Sequence, residues 1–170
     1  MRKLRITVIG ASEASAELCS LAEDVGRLIA EAGAILISGG GAGVMEAASK
    51  GAKSAGGITV GILPGTNENE ANQYVDIPII TGMGHGRNII NVWSSDVVIA
   101  IGGGYGTLSE IALALRTGKP VIGLSTWDFS IEGTNESSHY YQVRTAKEAI
   151  REALKLAAQK STIAEKDKTF

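Results

Sequence analysis

The sequence predicts a doubly wound, Rossmann-like α/β fold, in which a parallel sheet carries helices on both faces. Short strand-like runs such as RITVIG (Arg5–Gly10) and DVVIAI (residues 96–101) alternate with helical segments. These runs are apolar throughout rather than at every second position, which is typical of parallel strands buried on both faces. Several of them end in glycine-rich stretches, where a ligand of such a fold usually binds.

Each element has its own local signal. After the first strand, Leu18, Leu21, Val25 and Leu28 recur at helical spacing, and Gly33 ends the helix. Thr145 and Glu148 form a capping box at the start of a terminal helix. The remaining predicted strands are AILIS, ITVGIL, YVDIPII at an edge of the sheet, and PVIGL; the remaining helices begin near VMEAASKGAKSAG, RNIINVWSS and the residues after GGGYG.

The chain has 170 residues, a length that suits one domain. We assign residues 1–160 to a single nucleotide-binding domain and residues 161–170 to a flexible tail. Residues 125–143 show no clear periodicity, and we expect a loop there with room for one short strand.

Composition narrows the classes of partner. The net charge is −2 and no block of basic residues occurs, which disfavours nucleic-acid binding. No apolar run is long enough to cross a membrane, so we expect no membrane partner. Cys19 is the only cysteine and cannot form an intrachain disulfide, which favours a reducing compartment and a cytoplasmic location.

The chain contains more glycine than an average protein, with 22 glycines against 3 prolines. Two glycine-rich turns, at residues 39–43 and 102–106, lead from strands into helices. Such a turn presents free backbone N–H groups and the positive end of a helix dipole, so it can bind phosphate. Glycine in a turn also permits tight packing of strand on helix without any ligand, but two such turns at one sheet edge favour a small phosphorylated ligand.

Several phosphate-binding and metal-binding classes are disfavoured. The P-loop pattern is absent, and the first strand ends in GASEAS instead of a dinucleotide fingerprint. The second strand ends in ISGG, without the carboxylate that binds a ribose hydroxyl in NAD sites. His85 and His139 are isolated, so we predict no metal site.

Three segments resemble one known superfamily. GGGYGTLSE (residues 102–110) resembles the P-G-G-x-G-T-x-x-E motif of the Lonely-Guy-type phosphoribohydrolases. GGGAGVMEAASKGA (39–52) is similar to their second glycine loop, and GMGHGRN (82–88) stands where they have M-H-x-R-K. The chain departs from these enzymes at Gly102, Asn88 and Glu46, where they have proline, lysine and glycine. These departures bring it closer to a sister branch that includes molybdenum-cofactor carrier proteins.

The resemblance implies two functions. The first is hydrolysis of a nucleoside 5′-monophosphate to base and ribose 5-phosphate, with Glu110 and Arg87 as catalytic residues and no required cofactor. The alternative is a non-catalytic carrier or sensor of a nucleotide or of the molybdenum cofactor. Both imply a homodimer. Some relatives carry a lysine decarboxylase label, but no lysine lies in a recognisable pyridoxal-phosphate setting here.

Each singled-out residue also has a structural explanation. Glu110 has capping-box spacing from Thr107, Ser12 can cap the first helix, and Glu46 suits the first turn of its helix. Arg87, by contrast, stands at a helix start, where the dipole disfavours a cation unless an anion is nearby. We expect packing roles for Cys19 and for the large apolar side chains that could otherwise line a base pocket, Met45, Met83, Trp93 and Trp127.

The predicted ligand-binding site combines the ends of four segments. Its catalytic candidates are Glu110 and Arg87. Its binding candidates, besides Arg87, are Gly10, Ser12, Gly39, Gly40, Gly41, Gly43, Glu46, Met83, Gly103, Gly104, Gly106 and Thr107.

Overall fold

The computed structural model describes residues 2–128 and 139–166, with side chains described as far as residue 159. Its centre is a seven-stranded sheet in which every neighbouring pair is parallel. The strands are β1 (Arg5–Gly10), β2 (Ile35–Ser38), β3 (Thr59–Leu63), β4 (Ile77–Ile80), β5 (Val97–Ile101), β6 (Val121–Leu124) and β7 (Tyr140–Val143). The predicted doubly wound parallel sheet is confirmed.

The described residues contain five α-helices, four of which lie between strands while the fifth follows β7: α1 (Ala16–Glu31), α2 (Val44–Ser54), α3 (Asn88–Ser94), α4 (Tyr105–Arg116) and α5 (Ala146–Lys166). A short 3₁₀ turn, Gly84–Arg87, leads directly into α3. Helix α5 includes residues 161–166 of the predicted tail, whose flexibility stays a prediction. Within the described ranges, every helix is too short or too polar to cross a bilayer.

The strand order is β4-β3-β2-β1-β5-β6-β7, so the sheet grows outwards in both directions from the β1–β5 pair. Gly10 and Ile101, the last residues of these two strands, lie side by side in the register. The connections leave β1 and β5 towards opposite halves of the sheet, which opens a crevice at their carboxyl ends. The fold therefore places the β1–α1 and β5–α4 loops on either side of one crevice.

Two apolar layers enclose the sheet. On one face, residues such as Val97, Ile99 and Ile101 pack against α1, α2 and α5. On the other, Val98 and Ala100 pack against α3 and α4. All five residues of β5 are buried, which explains why this strand reads as an unbroken apolar run.

Helices α1 and α2 approach each other at backbone distance. A Cβ atom at Gly26 would overlap the carbonyl oxygen of Ala48, and a Cβ atom at Gly51 would overlap that of Glu23. This packing draws α2 against α1 and thereby sets the position of the α2 N-terminus beside the β1–α1 loop.

Differences from the sequence-based expectations are local. The predicted strand at residues 74–80 is shorter, Ile77–Ile80, although it does lie at the sheet edge. The unassigned segment 125–143 contributes β7, parallel to β6, while residues 129–138 lie outside the described ranges. The predicted cap of α5 by Thr145 is confirmed, since the Glu148 N–H donates to Thr145 Oγ1 at 3.2 Å, while Glu148 Oε2 accepts from the N–H of Arg144 and not from that of Thr145.

Candidate functional site

A cavity of about 390 Å³ lies at the carboxyl ends of β1 and β5, at the point where the strand order reverses. The β1 end, the β1–α1 loop, the 84–87 turn and the start of α4 form most of its wall. Its lining residues are Val8, Ile9, Gly10, Ala11, Ser12, Glu13, Gly39, Met45, His85, Arg87, Asn88, Gly104, Tyr105, Gly106, Thr107 and Glu110.

The loop before α4 exposes the helix N-terminus to this cavity. Gly102 and Gly103 have φ angles of 55° and 149°, which side-chain-bearing residues rarely adopt, and they turn the chain from β5 into the helix. Gly104 is the N-cap and supplies no side chain to the free N–H groups of the first turn. A Cβ atom at Gly104 or Gly106 would meet nothing within 4 Å. The first turn of α4 therefore has both unpaired donors and empty space beside them.

The other glycine loop, at residues 39–43, is closed by the protein itself. The N–H of Val44, the first residue of α2, donates to the carbonyl oxygen of Ala11 at 3.1 Å. Gly43, with φ 65°, is so close to Ala11 that a Cβ atom would overlap that oxygen. A Cβ atom at Gly40 would overlap the side chain of Leu63. Close packing therefore gives Gly40 and Gly43 a structural role, and the binding of an anion by this loop stays a prediction.

Arg87 reaches from the 84–87 turn to the end of β2, where its guanidinium packs against Gly39. Its Nε atom is buried and has no hydrogen-bond partner. Burial lowers the pKa of Arg87 and the nearby charge of Glu110 acts in the opposite direction, but a guanidinium stays protonated at neutral pH. Arg87, a half-buried cation whose Nε is unpaired, lines the same cavity as the uncapped N-terminus of α4, and this combination is suited to an anionic ligand.

Glu110 lies in the second turn of α4 and is only 7% exposed. It is not a helix cap: its Oε1 accepts a hydrogen bond from Asn91 Nδ2 at 2.8 Å. Burial raises the pKa of Glu110 to about 7, while the Asn91 hydrogen bond and the charge of Arg87 oppose that rise. The capping-box explanation of Glu110 is wrong because α4 begins two residues before Thr107, at Tyr105.

The structure gathers part of the predicted site around the cavity. Gly10, Ser12, Gly39, Arg87, Gly104, Gly106, Thr107 and Glu110 line it. The predicted binding residues that do not line it are Gly40, Gly41, Gly43, Glu46, Met83 and Gly103. Ser12 is not the cap of α1, since Leu18 N–H bonds to Ser15 Oγ at 3.2 Å. Cys19 packs beside the core, as expected.

Sequence reasoning missed several lining residues. Four of them lie inside segments that the sequence analysis quoted, but they were not named as binding residues: Glu13, His85, Asn88 and Tyr105. Met45 was assigned to packing, yet it lines the cavity. Among the described residues, no group of three or more His, Cys, Asp or Glu side chains is placed to hold a metal ion.

Comparisons with known proteins agree with the fold and the motifs. The model of the SLOG cluster4 family matches residues 3–155. An uncharacterized protein of Archaeoglobus fulgidus is 55% identical over 124 residues, which cover 73% of this chain and 82% of that protein. A cytokinin riboside 5′-monophosphate phosphoribohydrolase of Mycobacterium tuberculosis is 36% identical over 126 residues, or 69% of this chain and 67% of that enzyme.

Solved structures extend the likeness over nearly the whole chain. The molybdenum cofactor binding protein of Rippkaea orientalis has a TM-score of 0.84 and 43% identity, and covers 96% of this chain and 99% of its own. The molybdenum cofactor carrier protein of Chlamydomonas reinhardtii has a TM-score of 0.84 and 40% identity, with coverages of 92% and 99%. DNA processing protein A of Helicobacter pylori, at 22% identity and TM-score 0.66, shares the fold.

Proposed function

The chain belongs to the SLOG cluster4 family, and we propose that it binds a nucleotide-like phosphorylated ligand in the cavity between β1, the 84–87 turn and α4. One observation carries this proposal. The N-terminus of α4 has no side-chain cap, and two of its glycines face empty space in the cavity that Arg87 also lines.

The chemistry of these groups matches a phosphate. The first N–H groups of a helix lack intrahelical acceptors, and the helix dipole adds partial positive charge at the same end. A guanidinium binds two phosphate oxygens at once. With Gly104 and Gly106, no Cβ atom keeps phosphate oxygens away from the backbone donors.

The cavity suits a ligand with few phosphate groups and a larger neutral part. Its volume of about 390 Å³ accommodates a molecule of nucleotide size. Among the described residues of the lining, Arg87 is the only arginine or lysine, whereas Glu13 and Glu110 are carboxylates. A polyphosphate would meet more repulsion than attraction, so one phosphate at the α4 N-terminus is the better match.

We infer that the preferred mode is holding without turnover, and that the molybdenum cofactor is the leading cargo. In support, the molybdenum cofactor binding and carrier proteins resemble this chain over 92% or more of its length at 40–43% identity. The cargo's phosphate would lie on the backbone of Gly104 and Gly106, next to Arg87. Its organic ring system would occupy the rest of the cavity.

A second candidate function is hydrolysis of a nucleoside 5′-monophosphate, and Glu110 is the observation that favours it. A carboxylate on the cavity wall can stabilise the positive charge that develops on ribose when the base departs. Glu110 has a pKa of about 7, so a large share of it is ionised at neutral pH. Arg87 would contact the phosphate or the departing base, and no cofactor would be required.

Two measurements test the proposal and separate its two forms. Calorimetric titration with adenosine 5′-monophosphate, and with the molybdenum cofactor under anaerobic conditions, should show binding that Gly106→Ala weakens. Release of ribose 5-phosphate from a panel of nucleoside monophosphates, with Glu110→Gln in parallel, then tests turnover. Release that the variant abolishes would establish the hydrolase, whereas binding without release would establish the carrier. Absence of binding to every ligand would reject both.

The homodimer and the cytoplasmic location are further parts of this proposal. The first rests on the resemblance to dimeric relatives and the second on a single cysteine, which suits a reducing compartment. Light scattering coupled to size-exclusion chromatography tests the first, and fractionation of source cells tests the second.

A further inference from the structure

Asn91 is the most completely buried amide next to the cavity, with no exposed surface. It lies on α3, and its Nδ2 donates to Glu110 Oε1 on α4 at 2.8 Å. Its main-chain oxygen accepts a hydrogen bond from Thr7 Oγ1 on β1 at 3.0 Å. Asn91 is thus anchored to the sheet on one side and to the carboxyl group of Glu110 on the other.

We propose that Asn91 is a positioning residue, whose amide holds Oε1 of Glu110 so that Oε2 is presented to the ligand in the cavity. The inference rests on the proposed function and adds a residue that does not itself line the cavity. Through this bond, the rigid β1–α3 contact sets the direction of the one carboxyl group that lies deep in the site.

A second feature of Asn91 marks this position as more than packing. Its Oδ1 atom is buried without a donor. A buried acceptor without a donor costs about 1–3 kcal/mol, and native structures contain only a few such groups, each of which needs an explanation. A leucine with the same branching would avoid that cost, but it would also remove the donor to Glu110.

The hydrogen bond from Asn91 also affects the pKa of Glu110. Burial raises the pKa of Glu110 to about 7, and the bond from Asn91 works against that rise. Other charged or titratable groups of the lining are Arg87 and His85 on the 84–87 turn, Glu13 on the β1–α1 loop and Tyr105 on α4. Because several groups share the cavity, the test must observe the carboxyl carbon of Glu110 itself.

The decisive experiment compares wild type with Asn91→Leu, which removes the donor and keeps the volume. Side-chain ¹³C NMR of the ligand-free protein follows the Glu110 carboxyl, with Glu110→Gln assigning its resonance. We expect the titration midpoint to move upwards by about one pH unit when the hydrogen bond is lost. Affinity for adenosine 5′-monophosphate, used as the probe, should fall about tenfold near neutral pH.

The double variant separates positioning from general destabilisation. If Asn91 acts through Glu110, Asn91→Leu should change the probe affinity less than about twofold in a Glu110→Gln background. Thr59→Val, which removes a buried hydroxyl from β3 remote from the cavity, serves as a control of similar stability cost. Where Asn91→Leu does not fold, Asn91→Ala makes the same test with a smaller side chain.

An unchanged Glu110 midpoint in the Asn91 variants would overturn the proposal, as would equal losses of affinity with and without the Glu110 carboxylate. Failure of the proposed function looks different. Wild type would then bind none of the phosphorylated ligands, while the NMR titration would still show whether Asn91 controls Glu110.

Discussion

The Nη1 atom of Arg87 lies where a Cβ atom of residue 39 would stand, so Gly39 provides the surface on which the guanidinium packs. The two residues come from different segments, the end of β2 and the turn before α3, and meet only in the folded chain. This relationship assigns Gly39 a role in orienting Arg87, and the contact of Gly39 with phosphate stays a prediction.

The Gly39–Arg87 pair predicts a non-additive mutant cycle. Gly39→Ala should displace the guanidinium and weaken adenosine 5′-monophosphate binding about tenfold, as Arg87→Met should by removing the charge. The double variant should bind no more weakly than either single one, because the new methyl group no longer meets the arginine. Calorimetry measures all four affinities, and Arg116→Met, an exposed change at the end of α4, is the matched control. Additive losses would show that Gly39 acts independently of Arg87.

Arg87→Met should also leave stability unchanged or raise it. The guanidinium is half-buried and its Nε lacks a partner. Removing it abolishes the free-energy cost of burying the charge and breaks no hydrogen bond at Nε. We expect the free energy of unfolding in urea to stay within about 1 kcal/mol of wild type or to increase. A loss larger than that would mean that Arg87 supports the fold and is not reserved for a ligand.

Gly106→Ala should separate ligand binding from stability. The added methyl group enters empty space, and the position lies in the first turn of α4, where alanine favours the helix by about 0.5–1 kcal/mol over glycine. The melting temperature should therefore hold or rise while affinity for adenosine 5′-monophosphate falls at least about tenfold, because the methyl group occupies the space of a phosphate oxygen. Gly104→Ala, in extended backbone with φ −138°, is a second test of the same cradle. Unimpaired binding in both variants would show that the phosphate does not bind at the N-terminus of α4.

The Glu110 carboxyl predicts a specific pH dependence of stability. Its pKa is raised from 4.5 to about 7 by burial, so the folded state holds the proton more tightly than the unfolded chain does. The tighter proton binding adds to the free energy of unfolding. This stabilisation is fully present below about pH 4.5 and is lost as the pH rises through about 7, and its size is on the order of 3 kcal/mol. Glu110→Gln should be the more stable protein at about pH 8, with a smaller advantage at about pH 5. Urea unfolding of both proteins at each pH gives the comparison, and parallel pH profiles would contradict it.

The contact between α1 and α2 predicts large losses of stability at two glycines. Gly26→Ala would place a methyl group against the carbonyl oxygen of Ala48, and Gly51→Ala would place one against that of Glu23. A backbone carbonyl cannot relieve such an overlap by changing rotamer, as a side chain can. We expect each change to cost several kcal/mol, about the scale of other over-packed cores, even though alanine favours a helix. Chemical denaturation tests this, with Gly106→Ala as the matched helical control. Stability equal to wild type in both variants would show that the two helices can separate without cost.

Much of the fold could be read from the sequence because its signals are local. Unbroken apolar runs identified the buried strands, and β-branched residues followed by glycine located the β1 and β5 loops. The confirmed N-terminal cap of α5, in which Thr145 accepts from the N–H of Glu148, is likewise a relation between close neighbours in sequence. The 102–110 motif pointed to the superfamily that the comparisons found.

The candidate site could be predicted only in part from the sequence. Both glycine loops have the same local pattern, yet the α4 N-terminus is open whereas that of α2 is filled by the carbonyl of Ala11. The Thr107–Glu110 spacing is typical of a capping box, yet the carboxyl group turns away from the helix end to Asn91. In both cases the competing partner comes from a distant segment, which no local spacing reveals.

The sequence alone determined the alternation of strands and helices, the parallel sheet and the glycine turns, since each follows from periodicity and from the backbone freedom of single residues. Only the tertiary structure decided which turn stays open, that Arg87 packs on Gly39, and that Asn91 holds Glu110 in a buried position. The physical reason is that desolvation and hydrogen bonding depend on atoms brought together across β1, β2, α3 and α4. The same glycine pattern therefore makes a packing contact in one loop and leaves an open helix N-terminus in the other.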